Sequence, residues 1–228
     1  MNTTTKTLLL PLALTLALAA CKPAEPPAPA AEAAPAAQEA GAPVEAQVEG
    51  VSGTYIIDPN HTNVLAQWNH FGFSNPSANF GQAAGTIVYD ADNVAASSVE
   101  VTLPLSGLTS FVADFDAHLS NADFFDVATF PVATFKSTSV ESAGGNKLKV
   151  TGDLTIKDNT HPVVLDVTMN GFAEHPMLKR ATTGFDATTT IKRSDFGVGA
   201  FAPNVSDEVH LRITTEASVA APEADAAG

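Results

Sequence analysis

The sequence predicts an all-β fold, an eight-stranded antiparallel barrel with one short helical insert, and three observations carry that prediction. Between Val64 and Thr214, apolar and polar residues alternate with a period of two in separate short stretches. Turn-forming Gly, Asn, Asp and Pro punctuate the intervals, at Asp90–Asn93, Gly144–Asn146 and Lys157–Thr160 among others. Residues 112–125 alone break the alternation.

Taken in order, one face of each stretch is apolar. The first presents Val64, Ala66, Trp68 and His70, the second Gly85, Ile87 and Tyr89, the third Val99, Val101 and Leu103. The fourth lies around Phe135, between Ala133 and Val140. The fifth has Val150, Gly152, Leu154 and Ile156, and the sixth Val163, Leu165, Val167 and Met169. Phe185, Ala187, Thr189 and Ile191, then Val209, Leu211 and Ile213, complete the set. One buried and one wet face is the pattern of antiparallel strands. Within the interruption Phe111, Phe115 and Leu119 fall at i, i+4 and i+8, so a short helix is expected to face the sheet there. Asp123-Phe124-Phe125 follows as a turn or second short helix.

Eight antiparallel strands close into a barrel and so remove exposed edges. A barrel of that size is either filled by its own side chains or holds one small ligand. The inward face includes the small residues Ala66, Gly85, Gly152 and Ala187, which favours a cavity.

Composition narrows the function. The chain has 228 residues, 25 acidic against 11 basic, for a net charge of -14. Phosphate binding needs clustered Lys and Arg, so no nucleic acid is expected as partner. The single cysteine, Cys21, excludes a disulfide framework within the chain and any multi-cysteine metal site.

Residues 1–20 read as an export signal: a polar start carrying Lys6, an apolar run from Leu8 to Leu18, then small residues. Leu18-Ala19-Ala20-Cys21 resembles the bacterial lipobox, which implies cleavage before Cys21 and its modification by diacylglycerol and further acyl chains such as palmitate. Two or more such chains suffice for stable membrane anchoring. Lys22 after the cysteine implies sorting to the outer membrane, with the protein facing the periplasm. Residues 21–50 form a tether; from Lys22 on it has eleven Ala, six Pro and no aromatic residue, too little apolar bulk to offset the ordering of its backbone. The barrel is expected over 51–217 and a disordered tail over 218–228.

Four blocks carry a resemblance. They are Gly53-Thr54-Tyr55 through Asp58, His61-Thr62 and Trp68-x-His70-Phe71-Gly72; then Ala117-His118-Leu119 through Asp123-Phe124-Phe125-Asp126, Phe130-Pro131 and Phe135; then Val150 to Ile156; and Ile191-x-Arg193-Ser194-Asp195-Phe196-Gly197. Together they resemble the YceI-like family. The resemblance implies a lipocalin-like barrel of exported bacterial proteins that encloses a polyprenyl or quinone tail or another long-chain amphiphile. Phe115-Asp116 stands where the family usually has Arg-Asp, and Asp158-Asn159-Thr160 where it tends to have His-Gly-x-Thr. Both changes remove positive or histidine character, which favours a neutral headgroup over a pyrophosphate.

Val64, Trp68, His70, Ile87, Phe135, Leu154 and Ile191 are the residues expected to touch the ligand. A neutral His70 imidazole offers one donor and one acceptor to a carbonyl or hydroxyl at the mouth; the alternative is a buried histidine satisfied by backbone. Asp116 and His118 stand two apart on a helix and do not face each other. His118 and Asp123 are expected instead to stitch the insert to the barrel by hydrogen bonds. Phe124, Phe125 and Phe130 read equally as a minor core beneath the insert or as ligand contacts. No catalytic residue, metal or cofactor is expected, since the sequence carries no metal-ligand spacing, nucleophile elbow or phosphate-cradling loop. The function expected is binding and carriage, or sequestration, of a long apolar chain at the envelope. An enzyme using His70 and Asp116 on the same lipid and an interaction scaffold with a dry core are the alternatives, and a homodimer is left open.

Overall fold

The computed structural model describes residues 48–220. The export signal, Cys21, nearly all of the 21–50 tether and the last residues of the tail lie outside the described residues. The strands are β1 (Gly53–Ile57), β2 (Asn63–His70), β3 (Ser77–Phe80), β4 (Ala84–Tyr89), β5 (Ser98–Pro104), β6 (Leu108–Thr109), β7 (Val132–Gly144), β8 (Lys147–Ile156), β9 (Asn159–Glu174), β10 (Ala181–Lys192) and β11 (Val205–Val219), with helix α1 (Ala113–Ser120) between β6 and β7.

A closed ring of eight strands runs β1-β4-β5-β7-β8-β9-β10-β11 and back to β1, every pair in it antiparallel. The extra segments are continuations. β11 pairs with β1 through Ala217–Val219 and with β2 through Val205–Thr214, so β1 and β2 are two lengths of one interrupted stave. β3 pairs with β2 and β6 as β4 pairs with β1 and β5. The eight expected strands thus correspond to eight staves, three of them broken.

Each break has a local cause. Between β1 and β2, Asp58-Pro59-Asn60 forms a side-chain-closed turn, in which the Asn60 amide donates to Asp58 Oδ1 at 2.9 Å. Between β3 and β4 the chain passes Gly81 and Gln82, the latter at φ 61°. Between β5 and β6, Pro104 leads into a single 3-10 turn, Leu105–Gly107.

Three expectations need correction. Phe111 does not join the apolar stripe of the helix: it sits at φ 65° in the link before α1 and is exposed, because the helix begins only at Ala113. Phe115 and Leu119 do face inward, and Leu119 is buried. Gly85 and Gly152 do not open volume, because neighbours already occupy the space; a β-carbon at Gly85 would meet the Val101 Cα at 2.9 Å. The last strand runs through Ser218 and Val219, past the expected boundary at 217; Ser218 Oγ bonds Thr182 Oγ1 at 2.7 Å across β10.

Buried apolar residues gather toward the two ends. Phe80, Leu105, Leu119 and Phe196 cluster at the end that carries α1. Tyr55, Tyr89, Met169 and Phe185 cluster at the other. Between them lies the site.

Candidate functional site

The bore is hollow. An apolar cavity of about 500 Å³ runs from Tyr89 and Phe185 at one end to His70, His118 and Phe201 at the other. Such a volume falls in the range of pockets that enclose a drug-sized ligand, about 300–1,000 Å³. Inward-pointing Ile87, Val101, Phe135, Leu154, Leu165 and Leu211 line it and are only half-buried. An inward apolar residue that retains accessible surface faces a void, not a packed neighbour. Staves of 12 to 16 residues set the length. At about 3.3 Å per residue and a tilt of about 40°, they give an axis of roughly 30–40 Å.

The wall offers few polar groups. Thr62 and Thr215 line it toward the floor, Thr215 standing opposite Phe185, and their hydroxyls bond each other at 2.8 Å. The floor, away from α1, is aromatic. Tyr55 meets Phe172 edge-on at 5.8 Å, Phe172 meets Tyr89 at 5.0 Å and Phe185 at 5.9 Å, and Tyr55 donates its hydroxyl to the Val51 carbonyl at 2.8 Å. Burial pushes both tyrosine hydroxyls above their ordinary pKa, so they stay neutral.

The mouth, at the α1 end, is where polar groups converge. The His70 side chain is exposed, lines the cavity and packs edge-on against Phe71 at 4.6 Å. Among the described residues its ring nitrogens have no hydrogen-bond partner, so its donor and acceptor remain available. It is therefore not a buried histidine satisfied by backbone. His118 sits among rings, 4.7 Å from Phe124 and 6.5 Å from Phe201. Neither its side chain nor that of Asp123 bonds the barrel among the described residues, which corrects the expected stitching. Asp116 does that work instead, accepting from the Ser110 amide and hydroxyl and from Thr109 Oγ1 at 3.4 Å. The Ser110 hydroxyl, then its amide, hold the Asp116 carboxyl below the usual carboxylate range.

One buried cation borders the mouth. Arg193 donates to four backbone carbonyls: Nε to Ser206 at 2.8 Å, one terminal nitrogen to Val198 and Ala200, both at 2.7 Å, and the other to Val205 at 2.9 Å. Burial lowers its pKa somewhat, opposed by nearby Asp207, yet a guanidinium keeps its proton in any protein. Arg193 thus clasps the β10–β11 loop, and its donors are spent on carbonyls, not offered to a ligand.

The structure brings all seven expected contact residues, Val64, Trp68, His70, Ile87, Phe135, Leu154 and Ile191, onto the cavity wall. It adds Phe115, His118, Phe201 and Arg193, and of the three phenylalanines read as core or contact alike it puts Phe124 and Phe125 on the wall as well. Of these Arg193 was legible, because the alternation Phe185, Ala187, Thr189, Ile191 continued by two points Arg193 inward. Phe201 was not, since it lies in an aperiodic Gly- and Pro-bearing loop. Phe125 packs edge-on against Phe80 at 5.5 Å, and Phe130 lies under Lys157 Nζ at 6.0 Å.

A closed antiparallel eight-stranded barrel around a hollow apolar bore, open beside one helix, defines a lipocalin-like ligand-binding architecture. Residues 55–217 match the YceI-like domain, and the chain belongs to that family. A UPF0312 protein of Vibrio cholerae is 34% identical over 161 residues, which are 70% of this chain and 85% of that one. A UPF0312 protein of Pseudomonas syringae pv. tomato is 36% identical over 170 residues, 74% of this chain and 88% of that one. Among solved structures, Burkholderia cenocepacia BcnA superposes with a TM-score of 0.64 at 28% identity, covering 70% of this chain and 98% of BcnA. A polyisoprenoid-binding domain from Saccharophagus degradans, at 13% identity and a TM-score of 0.57 over 73% of this chain and 98% of that domain, shares the fold.

Proposed function

We propose that this protein binds a long-chain isoprenoid or similar apolar amphiphile, of quinone or polyprenyl type, and carries or sequesters it at the bacterial cell envelope without chemical turnover. The observation that carries the reading is the half-buried inward apolar face around a hollow of about 500 Å³. Filling it with a hydrocarbon tail gains about 25 cal/mol for each Å² of apolar surface removed from water. The unpartnered His70 imidazole at the mouth suits a neutral polar headgroup such as a quinone carbonyl or a hydroxyl. The polyisoprenoid ligand of the Saccharophagus degradans domain supports the ligand class. Lipidation at Cys21 would hold the carrier to the membrane, at the periplasmic face of the outer membrane given Lys22.

Native mass spectrometry of the mature protein tests the reading. A mass excess of several hundred daltons is expected, and it should disappear in Ala66→Trp, which places an indole in the bore from a buried small residue of the wall. Lipid retained unchanged by that variant, or absent from the native protein, sinks the proposal.

A further inference from the structure

Three loops at the α1 end expose phenylalanine side chains, of which Phe71 and Phe201 also line the cavity while Phe73 and Phe111 do not. Phe71 and Phe73 come from the β2–β3 turn, Phe111 from the link into α1, and Phe201 from the β10–β11 loop. Phe73 is 91% exposed, Phe111 84% and Phe201 61%. Single exposed apolar residues need no explanation, but several large ones gathered around one opening mark an interaction surface.

Their backbone reinforces this. Phe71, Phe111 and Phe201 adopt φ of 54°, 65° and 64°. Bulky residues rarely enter that left-handed region, and strain of this kind concentrates at working surfaces. Each strained position is braced. The Phe71 amide donates to the Asn204 carbonyl at 3.1 Å, tying two of the loops together. The Phe111 amide donates to Thr109 Oγ1 at 3.1 Å beside the Asp116–Ser110 bonds, and the Phe201 carbonyl accepts from the Val205 amide at 3.0 Å next to the Arg193 clasp. The loops are braced, with Phe111 held exposed and Phe71 and Phe201 held at the border of the cavity. At the opposite end the exposed Met177 and Leu178 come from a single loop, beside the Lys179–Glu174 pair at 3.9 Å.

The chemistry of the rim selects its occupant. Neither 71–76 nor 197–204 contains a charged residue, and aromatic rings favour the zone between headgroups and acyl chains. We propose that this crown seats the mouth on a lipid bilayer of neutral, zwitterionic headgroups, with Phe73 and Phe111 entering the interface, so that a tail passes between membrane and bore without crossing water. The inference rests on the lipid-carrying reading above. The net charge of -14 and the absence of Lys and Arg from these two loops exclude attraction to anionic lipid as the driving force.

The barrel closes on itself within Gly53–Val219, so the chain from Lys22 onward folds without Cys21 and any acyl anchor. That chain should float with phosphatidylcholine vesicles. Phe73→Ser/Phe111→Ser should reduce flotation at least about tenfold, since two large apolar tips no longer leave water, with unchanged thermal unfolding and unchanged bound mass. A native chain that holds its lipid mass but ignores the vesicles, or a double variant that floats equally well, overturns the docking and leaves carriage standing. A chain that floats but holds no lipid supports docking and overturns carriage.

Discussion

The ring of Phe135 on β7 lies over the bare backbone of Gly152 on β8. A β-carbon at 152 would sit 2.8 Å from Phe135 Cε2 and 2.6 Å from the Lys136 carbonyl oxygen, closer than any packed side chain allows. The glycine lets a large ring lie along the wall of the bore instead of across it.

Gly152→Ala should therefore push the Phe135 ring inward. Overpacking of this kind costs about 1–3 kcal/mol, read as a lower urea midpoint, and the bound lipid mass should fall with it. Adding Phe135→Leu should recover only the part due to the ring, because the Lys136 carbonyl oxygen still stands in the way of the new methyl. An unchanged midpoint for Gly152→Ala would mean that the ring has another place to go.

Arg193→Ala should be among the most damaging single changes, because it strands four carbonyls around a buried gap. Charge-assisted hydrogen bonds contribute roughly 1.5–3 kcal/mol each and do not add simply, so about 3 kcal/mol or more is expected in urea unfolding. Arg193→Lys should recover little, since an ammonium cannot reproduce the planar fork. Near-native stability in either variant would contradict the clasp.

The Asp116 carboxyl should titrate below the ordinary Asp value of about 3.9 in a carbon-detected NMR titration, and Ser110→Ala should raise that midpoint. A depressed carboxyl contributes stability above its unfolded value that is lost as pH falls through the folded one. The link carrying Phe111 should accordingly lose amide-exchange protection in strong acid before the barrel does. An Asp116 midpoint indifferent to Ser110→Ala would refute this bracing.

His61 Nδ1 lies 2.7 Å from Asp58 Oδ2, and hydrogen bonding to that carboxylate, with its charge, raises the imidazole above its ordinary value of 6.5. The same bond lowers Asp58. The raised His61 stabilises the turn below pH of about 6.5, and this contribution fades as pH climbs through the folded midpoint. Asp58→Asn should bring the NMR midpoint back toward 6.5; no movement would show the pair to be idle.

Period-two alternation made the staves legible, and with them the inward face of the eight alternating stretches between Val64 and Ile213, though not Ala78 and Phe80 of β3. It failed where turn chemistry overrides it. The turn at Asp58-Pro59-Asn60 is announced by its residue types, but the alternation does not show that it and Leu105–Gly107 each divide a single stave. Phe111 satisfied helical spacing in sequence, yet its left-handed backbone removed it from the helix. The hollow itself was inferred partly from the wrong residues: Ala66 and Ala187 do line it, but Gly85 and Gly152 are spent on close approach of their neighbours. A cavity depends on how side chains pack in three dimensions, and composition along a strand records only which ones are small.

The chain enters the barrel at its floor. Gly50 abuts the Tyr89 ring and β1 starts beside it, at the far end from His70 and Phe201. The described chain therefore joins the barrel at its base, so the doorway beside His70 and Phe201 is not the end at which the polypeptide comes in.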